Sequence, residues 1–295
     1  MRYAILSDVH GNDVALRAVF EDLDHWSEER GTRVDQIWCL GDVVGYGPEP
    51  GDCVRRIRAR TDITISGNHD WAVVGKLDLG DFSESAAQSA EWTRARLQPD
   101  ERLYLRSLPE LTRVGDFTLA HASPLNPIWE YLISAREAAP NFSAFETLFC
   151  VVGHTHVPTI FLQPASRQVV AAAAVAARAN IREQAMLAMA TPGGPSWGAI
   201  DRGNGDQTTG KRWAQCERLM PAPGLWMLPR GYRAIINPGS VGQPRDGDAR
   251  ASYVIYDSTL GFEFRRVPYD IGATQRKIAS YGLSEKLAQR LANGV

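Results

Sequence analysis

Tyr3-Ala4-Ile5-Leu6-Ser7-Asp8-Val9-His10-Gly11-Asn12 is a short apolar run that ends in an Asp-x-His pair. The run has the length and residue types of a strand. A carboxylate and an imidazole two apart in extended backbone point to the same side and can grip one cation. The pattern recurs along the chain. Gly41-Asp42 follows the apolar run Ile37–Leu40, and Gly67-Asn68-His69-Asp70 follows Ile63–Ile65. Ala120-His121-Ala122 closes Phe117–Ala120, and Gly153-His154-Thr155-His156 follows Phe149–Val152. Five of the six histidines fall in these motifs. The sixth, His25, stands among acidic residues in a helical stretch and reads as structural.

Further apolar runs at Thr159–Leu162, Ala234–Ile236, Tyr253–Tyr256 and Phe262–Phe264 predict more strands. Asp13–Glu29 places Ala15, Val19 and Leu23 on one helical face, with Asn12 where an N-cap belongs. Glu49–Arg60 and Ser83–Leu97 read as helices in the same way, and Ile271–Leu291 closes the chain with one or two more. Strand–helix–strand order in the first half implies parallel βαβ units, and short connections in the second half imply antiparallel pairing. The expected fold is of the α/β (α+β) class, two facing mixed sheets with helices outside. Each motif would then stand at the carboxyl end of a strand, where α/β sheets build their sites. A single domain over 1–295 is expected, interrupted at about 168–220. There the strand pattern lapses into an alanine-rich stretch and then Gly- and Pro-rich sequence, the mark of a loop insertion.

Composition narrows the function. Lys plus Arg (32) nearly balances Asp plus Glu (34), for a net charge of −2, so no nucleic-acid polymer or anionic membrane is expected as a partner. The N-terminus enters a strand at once and leaves no room for a signal peptide. The longest apolar run, Val169 to Ala177, is too short to cross a bilayer. A soluble, cytoplasmic protein is expected. Cys39, Cys53, Cys150 and Cys216 lie too far apart for a metal or redox motif and read as reduced.

Histidine and carboxylate at the ends of several strands suit a dinuclear metal site, because one loop cannot surround two cations. His154 and His156 can each serve a different metal. Asp42 is the natural bridging carboxylate, Asn68 offers an amide oxygen, and His121 adds an imidazole. Mixed oxygen and nitrogen ligation suits two divalent transition-metal ions, manganese first and then iron, zinc or nickel, better than calcium or magnesium.

Taken in order, Asp-x-His, Gly-Asp, Gly-Asn-His-Asp, a lone His and Gly-His-x-His resemble the calcineurin-like metallophosphoesterase family. The run Asn237-Pro238-Gly239-Ser240-Val241-Gly242-Gln243-Pro244-Arg245-Asp246 is similar to the small bacterial branch of YfcE-type, diadenosine tetraphosphatase-related enzymes. The resemblance covers Met1 to about Leu162 and Arg230 to about Asp270, and it implies a four-layer αββα sandwich. It assigns Asp8, His10, Asp42 and His156 to one metal, and Asp42, Asn68, His121 and His154 to the other. His69 would remain off the metals, to protonate the leaving group or stabilise developing charge, with Asp70 orienting it.

The resemblance further implies a phosphodiesterase or phosphomonoesterase acting on small substrates. The alternatives are a Ser/Thr protein phosphatase or a binding scaffold that has lost catalysis. The protein-phosphatase branch places a phosphate-binding arginine after its Gly-Asp, whereas this chain reads Gly41-Asp42-Val43-Val44-Gly45-Tyr46. Arg245 is the candidate replacement, and Tyr46 either touches substrate or fills a turn.

Overall fold

The computed structural model describes residues 1–165, 200–201 and 216–295. Strands β1 (Arg2–Leu6), β2 (Gln36–Cys39) and β3 (Ile63–Thr64) run parallel, linked by helices α1 (Asp13–Glu29) and α2 (Pro50–Arg60). β12 (Ala251–Asp257) pairs antiparallel with β1, followed by β13 (Gly261–Val267) and β10 (Gly224–Trp226), so the first sheet has the order β10-β13-β12-β1-β2-β3. The second sheet has the order β4-β5-β6-β11-β7-β9-β8. Its centre is the parallel trio β5 (Phe117–Ala120), β6 (Phe149–Val151) and β11 (Tyr232–Asn237), flanked by β4 (Leu111–Val114) and β7 (Thr159–Pro164), with β9 (Glu217–Leu219) and β8 (Ile200–Asp201) at the edge.

Alternation along β1 explains the layering. Tyr3 and Ile5 face the second sheet, in a core shared with Trp38, Phe117, Ile160 and Phe262, and Ala4 and Leu6 face the helices, with Leu16, Val19 and Ile57. A strand covered on both faces reads as a continuous apolar run rather than an alternating one. The Tyr3 ring stacks on Trp38 at 4.2 Å and meets Phe117 edge-on at 5.8 Å, bridging the sheets. Beyond the second sheet, Cys150, Phe161 and Ile235 pack on α6 (Ala135–Asn141). The result is the four-layer αββα sandwich.

All nine expected strands form, and α1 matches its expected bounds. Asn12 caps α1 as expected, its Oδ1 accepting from the Ala15 N–H at 3.2 Å. The four cysteines are free and buried. The C-terminal stretch resolves into α7 (Ile271–Ser280) and α8 (Glu285–Asn293). Four short helices, α3 (Asn68–Val73), α4 (Glu84–Arg94), α5 (Pro99–Ser107) and α6, and a 3₁₀ turn at Leu79–Asp81 complete the helical elements of the described residues. Of these only α4 was expected; α3, α5 and α6 are too short to show a periodic face.

Most of the expected insertion lies outside the described residues. Its last part does not fit a loop: Glu217–Leu219 pairs with β7, and Leu219 is buried in the core between the sheets. Three residues are too few for alternation to be visible. Among the described residues no helix is long and apolar enough to cross a membrane.

Candidate metal centre

Six non-glycine residues among those described have positive φ: Asp8 (55°), His10 (49°), Asp42 (50°), Tyr46 (57°), His154 (64°) and His156 (61°). All six belong to the motifs or to the Tyr46 turn beside them. Left-handed backbone costs an L-residue roughly 1–2 kcal/mol, and such strain persists only where surrounding structure enforces it. Here the enforcement is backbone hydrogen bonding between loops. The Asp8 N–H donates to the Gly41 carbonyl at 3.1 Å, His10 N–H to Asp42 at 2.9 Å, and Gly242 N–H to Asp8 at 2.9 Å. Ser240 Oγ also donates to the Asp8 carbonyl at 2.8 Å, and Asn237 Nδ2 reaches the Gly153 carbonyl at 2.5 Å. The Asn237–Arg245 run thus clamps the first and last motif loops together.

Two motif glycines are required by close approach. A Cβ at Gly67 would fall on the Asp42 carboxylate, and one at Gly153 on the Ser7 hydroxyl and the Asp8 carboxylate.

The side chains converge from four loops and from the first turn of α3. Asp8, His10 and His156 form one cluster and Asp42, His121 and His154 a second, and a third links His10, Asp42 and His69; all are buried. Asp42 joins the groups: its Oδ2 lies 3.6 Å from His10 Nε2 and 3.4 Å from His121 Nε2. Its Oδ1 is held by the His69 backbone N–H at 2.9 Å. Asn68 Oδ1 stands 3.3 Å from His121 Nε2. Every sequence-predicted metal ligand is therefore brought to one place.

Three imidazoles are oriented by carbonyls, with Nδ1 of His10 donating to Val44 at 3.2 Å, His121 to Leu40 at 2.8 Å and His156 to Gln243 at 2.6 Å. A ring whose Nδ1 carries the proton presents a bare lone pair at Nε2. His10 Nε2 and His156 Nε2 then face each other at 3.0 Å with no proton between them. Two lone pairs so close repel unless a cation shares them. His154 Nε2 is likewise buried without a hydrogen-bond partner. This donor set fits divalent cations.

The electrostatics agree. Burial holds His10 and His156 well below their ordinary pKa, and it lowers His154 to about 3 and His69 to about 4. At neutral pH these shifts favour the uncharged ring, which metal binding requires of His10, His154 and His156. His121 is the exception. Burial opposes its charge, but attraction to Asp42 prevails and raises it to about 9, and burial of Asp42 is in turn outweighed by His121 and then His69, which hold it well below the carboxylate range. Asp8 is pushed up to about 7 by burial, against the pull of His121. A cation competing for His121 must displace its proton, so affinity should fall as pH falls.

Asp70 departs from the expectation that it orients His69. No hydrogen bond joins the two. Asp70 Oδ2 accepts the Gly67 N–H at 3.0 Å and Oδ1 the Val44 N–H at 3.2 Å, which pins α3 to the Asp42 loop, and His69 Nδ1 is buried without a partner. Asp70→Ala is expected to lower stability by about 2 kcal/mol, by stranding two buried donors. Thermal unfolding of the metal-free protein measures this, and an unchanged midpoint contradicts the assignment.

Arg245 and Tyr46 both lie at the site. The Arg245 guanidinium sits 5.9 Å from the Tyr46 ring centroid and donates to Gln243 Oε1 at 2.8 Å, with no carboxylate in ion-pair range among the described residues. Tyr46 packs 4.8 Å from the His10 ring and 4.4 Å from that of His69, with Leu287 and Leu291 of α8 behind it. Sequence reasoning missed this helix's contribution, and it missed an aromatic rim of Phe82, Trp129 and Tyr131. Phe82 lies 5.3 Å from His69, and Tyr131 lies 4.0 Å from His154. No motif marks these residues; their link to the site is purely tertiary. His25 is exposed on α1, 3.1 Å from Glu29, away from this site.

Residues 1–158 match the calcineurin-like phosphoesterase family model. The chain belongs to that family. It is 33% identical to an uncharacterized protein of Methanocaldococcus jannaschii, over 99% of this chain and 97% of that one. A crystal structure of a metallophosphoesterase from Sphaerobacter thermophilus is 39% identical and covers 100% of this chain and 99% of its own, with a TM-score of 0.73. A symmetrical bis(5'-nucleosyl)-tetraphosphatase from Shewanella baltica is 29% identical over 47% of this chain and half of its own length. This calcineurin-like protein is accordingly a phosphoric ester hydrolase of a metal-dependent family.

Proposed function

We propose that this protein hydrolyses small phosphodiesters or phosphomonoesters at a centre of two divalent transition-metal ions, with manganese the first candidate and iron, zinc or nickel the others. Asp8, His10, Asp42 and His156 would hold one ion, and Asp42, Asn68, His121 and His154 the other. The observation that carries the reading is the 3.0 Å approach of His10 and His156 through unprotonated nitrogens, beside a carboxylate shared with His121. When bound, such ions supply a nucleophile at neutral pH and screen phosphoryl charge. Bound substrate lies between Arg245 and the His69 ring. His69 then donates its proton to the leaving oxygen, since an anionic phosphoester beside the ring favours the imidazolium and offsets burial. Buried Tyr46 and half-buried Phe82 shield that ring from water.

Metal analysis of the purified protein, together with rates on phosphomonoesters, linear diesters, cyclic nucleotides and dinucleoside polyphosphates, tests the reading. Hydrolysis that survives complete chelation, or none across the panel with metals bound, would overturn it. Arg245→Ala is expected to raise KM about tenfold, with a smaller change in kcat, because one charge-assisted contact to the phosphoryl group is lost. An unchanged KM removes Arg245 from the binding site.

A further inference from the structure

The loop from Ala122 to Ile133, between β5 and α6, presents aromatic side chains beside the metal centre. It is held from within: the Ala122 N–H donates to the Pro127 carbonyl at 2.8 Å, Asn126 N–H to Ser123 Oγ at 2.9 Å, and Trp129 N–H to Asn126 Oδ1 at 3.2 Å. It is also held from α6, where Asn141 Oδ1 accepts the Leu125 N–H at 3.1 Å and Asn141 Nδ2 reaches Glu130 at 3.1 Å. Ser123 Oγ bonds Glu130 as well. Ile128 and Leu132 anchor the loop in the interior. Between them Trp129 and Tyr131 turn the other way, and Tyr131 remains 46% exposed.

These two rings bracket a predicted ligand. Tyr131 lies 4.0 Å from the His154 ring, tilted 36°, and Trp129 lies 6.4 Å from it on the side toward Phe82, 4.8 Å away. Phe82 in turn touches His69. The aromatic wall thus runs from His69 through Phe82 and Trp129 to His154. A hydrogen-bonded loop that holds flat aromatic faces beside the site offers a surface on which another ring can stack without first ordering the loop.

We propose that Trp129 and Tyr131 form a stacking face for a planar aromatic ester substituent, so that the site selects aryl-bearing phosphoesters over saturated ones of equal size. The inference rests on the phosphoesterase reading for its substrate. Benzylphosphonate and cyclohexylmethylphosphonate resist hydrolysis and differ chiefly in ring planarity, so calorimetric binding to the metal-loaded protein tests stacking apart from chemistry. The benzyl compound is expected to bind about tenfold more tightly. The preference should fall to about twofold or less in Trp129→Ala and in Tyr131→Ala, and return in Trp129→Phe and Tyr131→Phe. No preference in the unaltered protein, or a preference that survives both alanine variants, overturns the inference. So do alanine variants that lose metal and weaken both ligands equally, since the rings would then only prop His154. A ring preference without any ester hydrolysis upholds the inference and sinks the proposed function instead.

Discussion

Asp42→Asn is expected to reduce the bound metal from two ions to fewer than one per chain, with activity falling about 10³-fold or more. The reason is positional. Asp42 Oδ2 stands 3.6 Å from His10 and 3.4 Å from His121, which belong to different clusters, and no other carboxylate among the described residues faces both. The amide oxygen of asparagine can still accept the His69 backbone N–H, so the loop should persist and the loss should be electrostatic. A separate readout checks this. Attraction to Asp42 raises His121 to about 9 against the effect of burial, so in the metal-free variant its titration should move down, as proton NMR of the imidazole would show. Elemental analysis that finds two ions in the folded variant would remove Asp42 as the bridge.

His69→Ala should keep both metals yet lose about 10²–10⁴ in kcat on esters with poor leaving groups, and lose less on p-nitrophenyl esters, which need little protonation. The ring lies in a pocket of Tyr46, Phe82 and His10, at 4.4, 5.3 and 5.0 Å between centroids, and its Nδ1 has no partner. It also falls in a group with His10 and Asp42 tight enough to hold an ion. The two roles separate cleanly. A leaving-group acid gives a loss that depends on leaving-group acidity at constant metal content, whereas a ligand gives loss of metal and equal losses on every ester.

Much of the molecule was legible in the chain because the information is local. An apolar run such as Tyr3–Leu6 declares a strand covered on both faces, and Asn12 before the Ala15, Val19, Leu23 face declares the start of a helix. The metal-ligand residue types are also local: Asp and His at the end of a strand have no packing reason to be there, and five such ends together left little but a metal centre. Less was legible where an element is too short for a period. The helix α3 that carries Asn68, His69 and Asp70 is six residues long, and β9 is three.

What the sequence by itself determined is the set of candidate metal-binding residues, the strands that deliver them and the class of chemistry such residues can perform, since each follows from residues a few positions apart. Only the tertiary structure decided how they are used. The Nδ1 atoms of His10, His121 and His156 bond to carbonyls of Val44, Leu40 and Gln243, and those partners, 34, 81 and 87 residues away, turn each lone pair inward. Asp70 became a backbone anchor because it caps its own helix at the Gly67 N–H and accepts the Val44 N–H from the Asp42 loop. Trp129 and Tyr131 became the rim because Ile128 and Leu132 took the interior. Such outcomes depend on which loops meet once the two sheets have packed, and contacts between residues far apart in the chain leave no periodic trace within it.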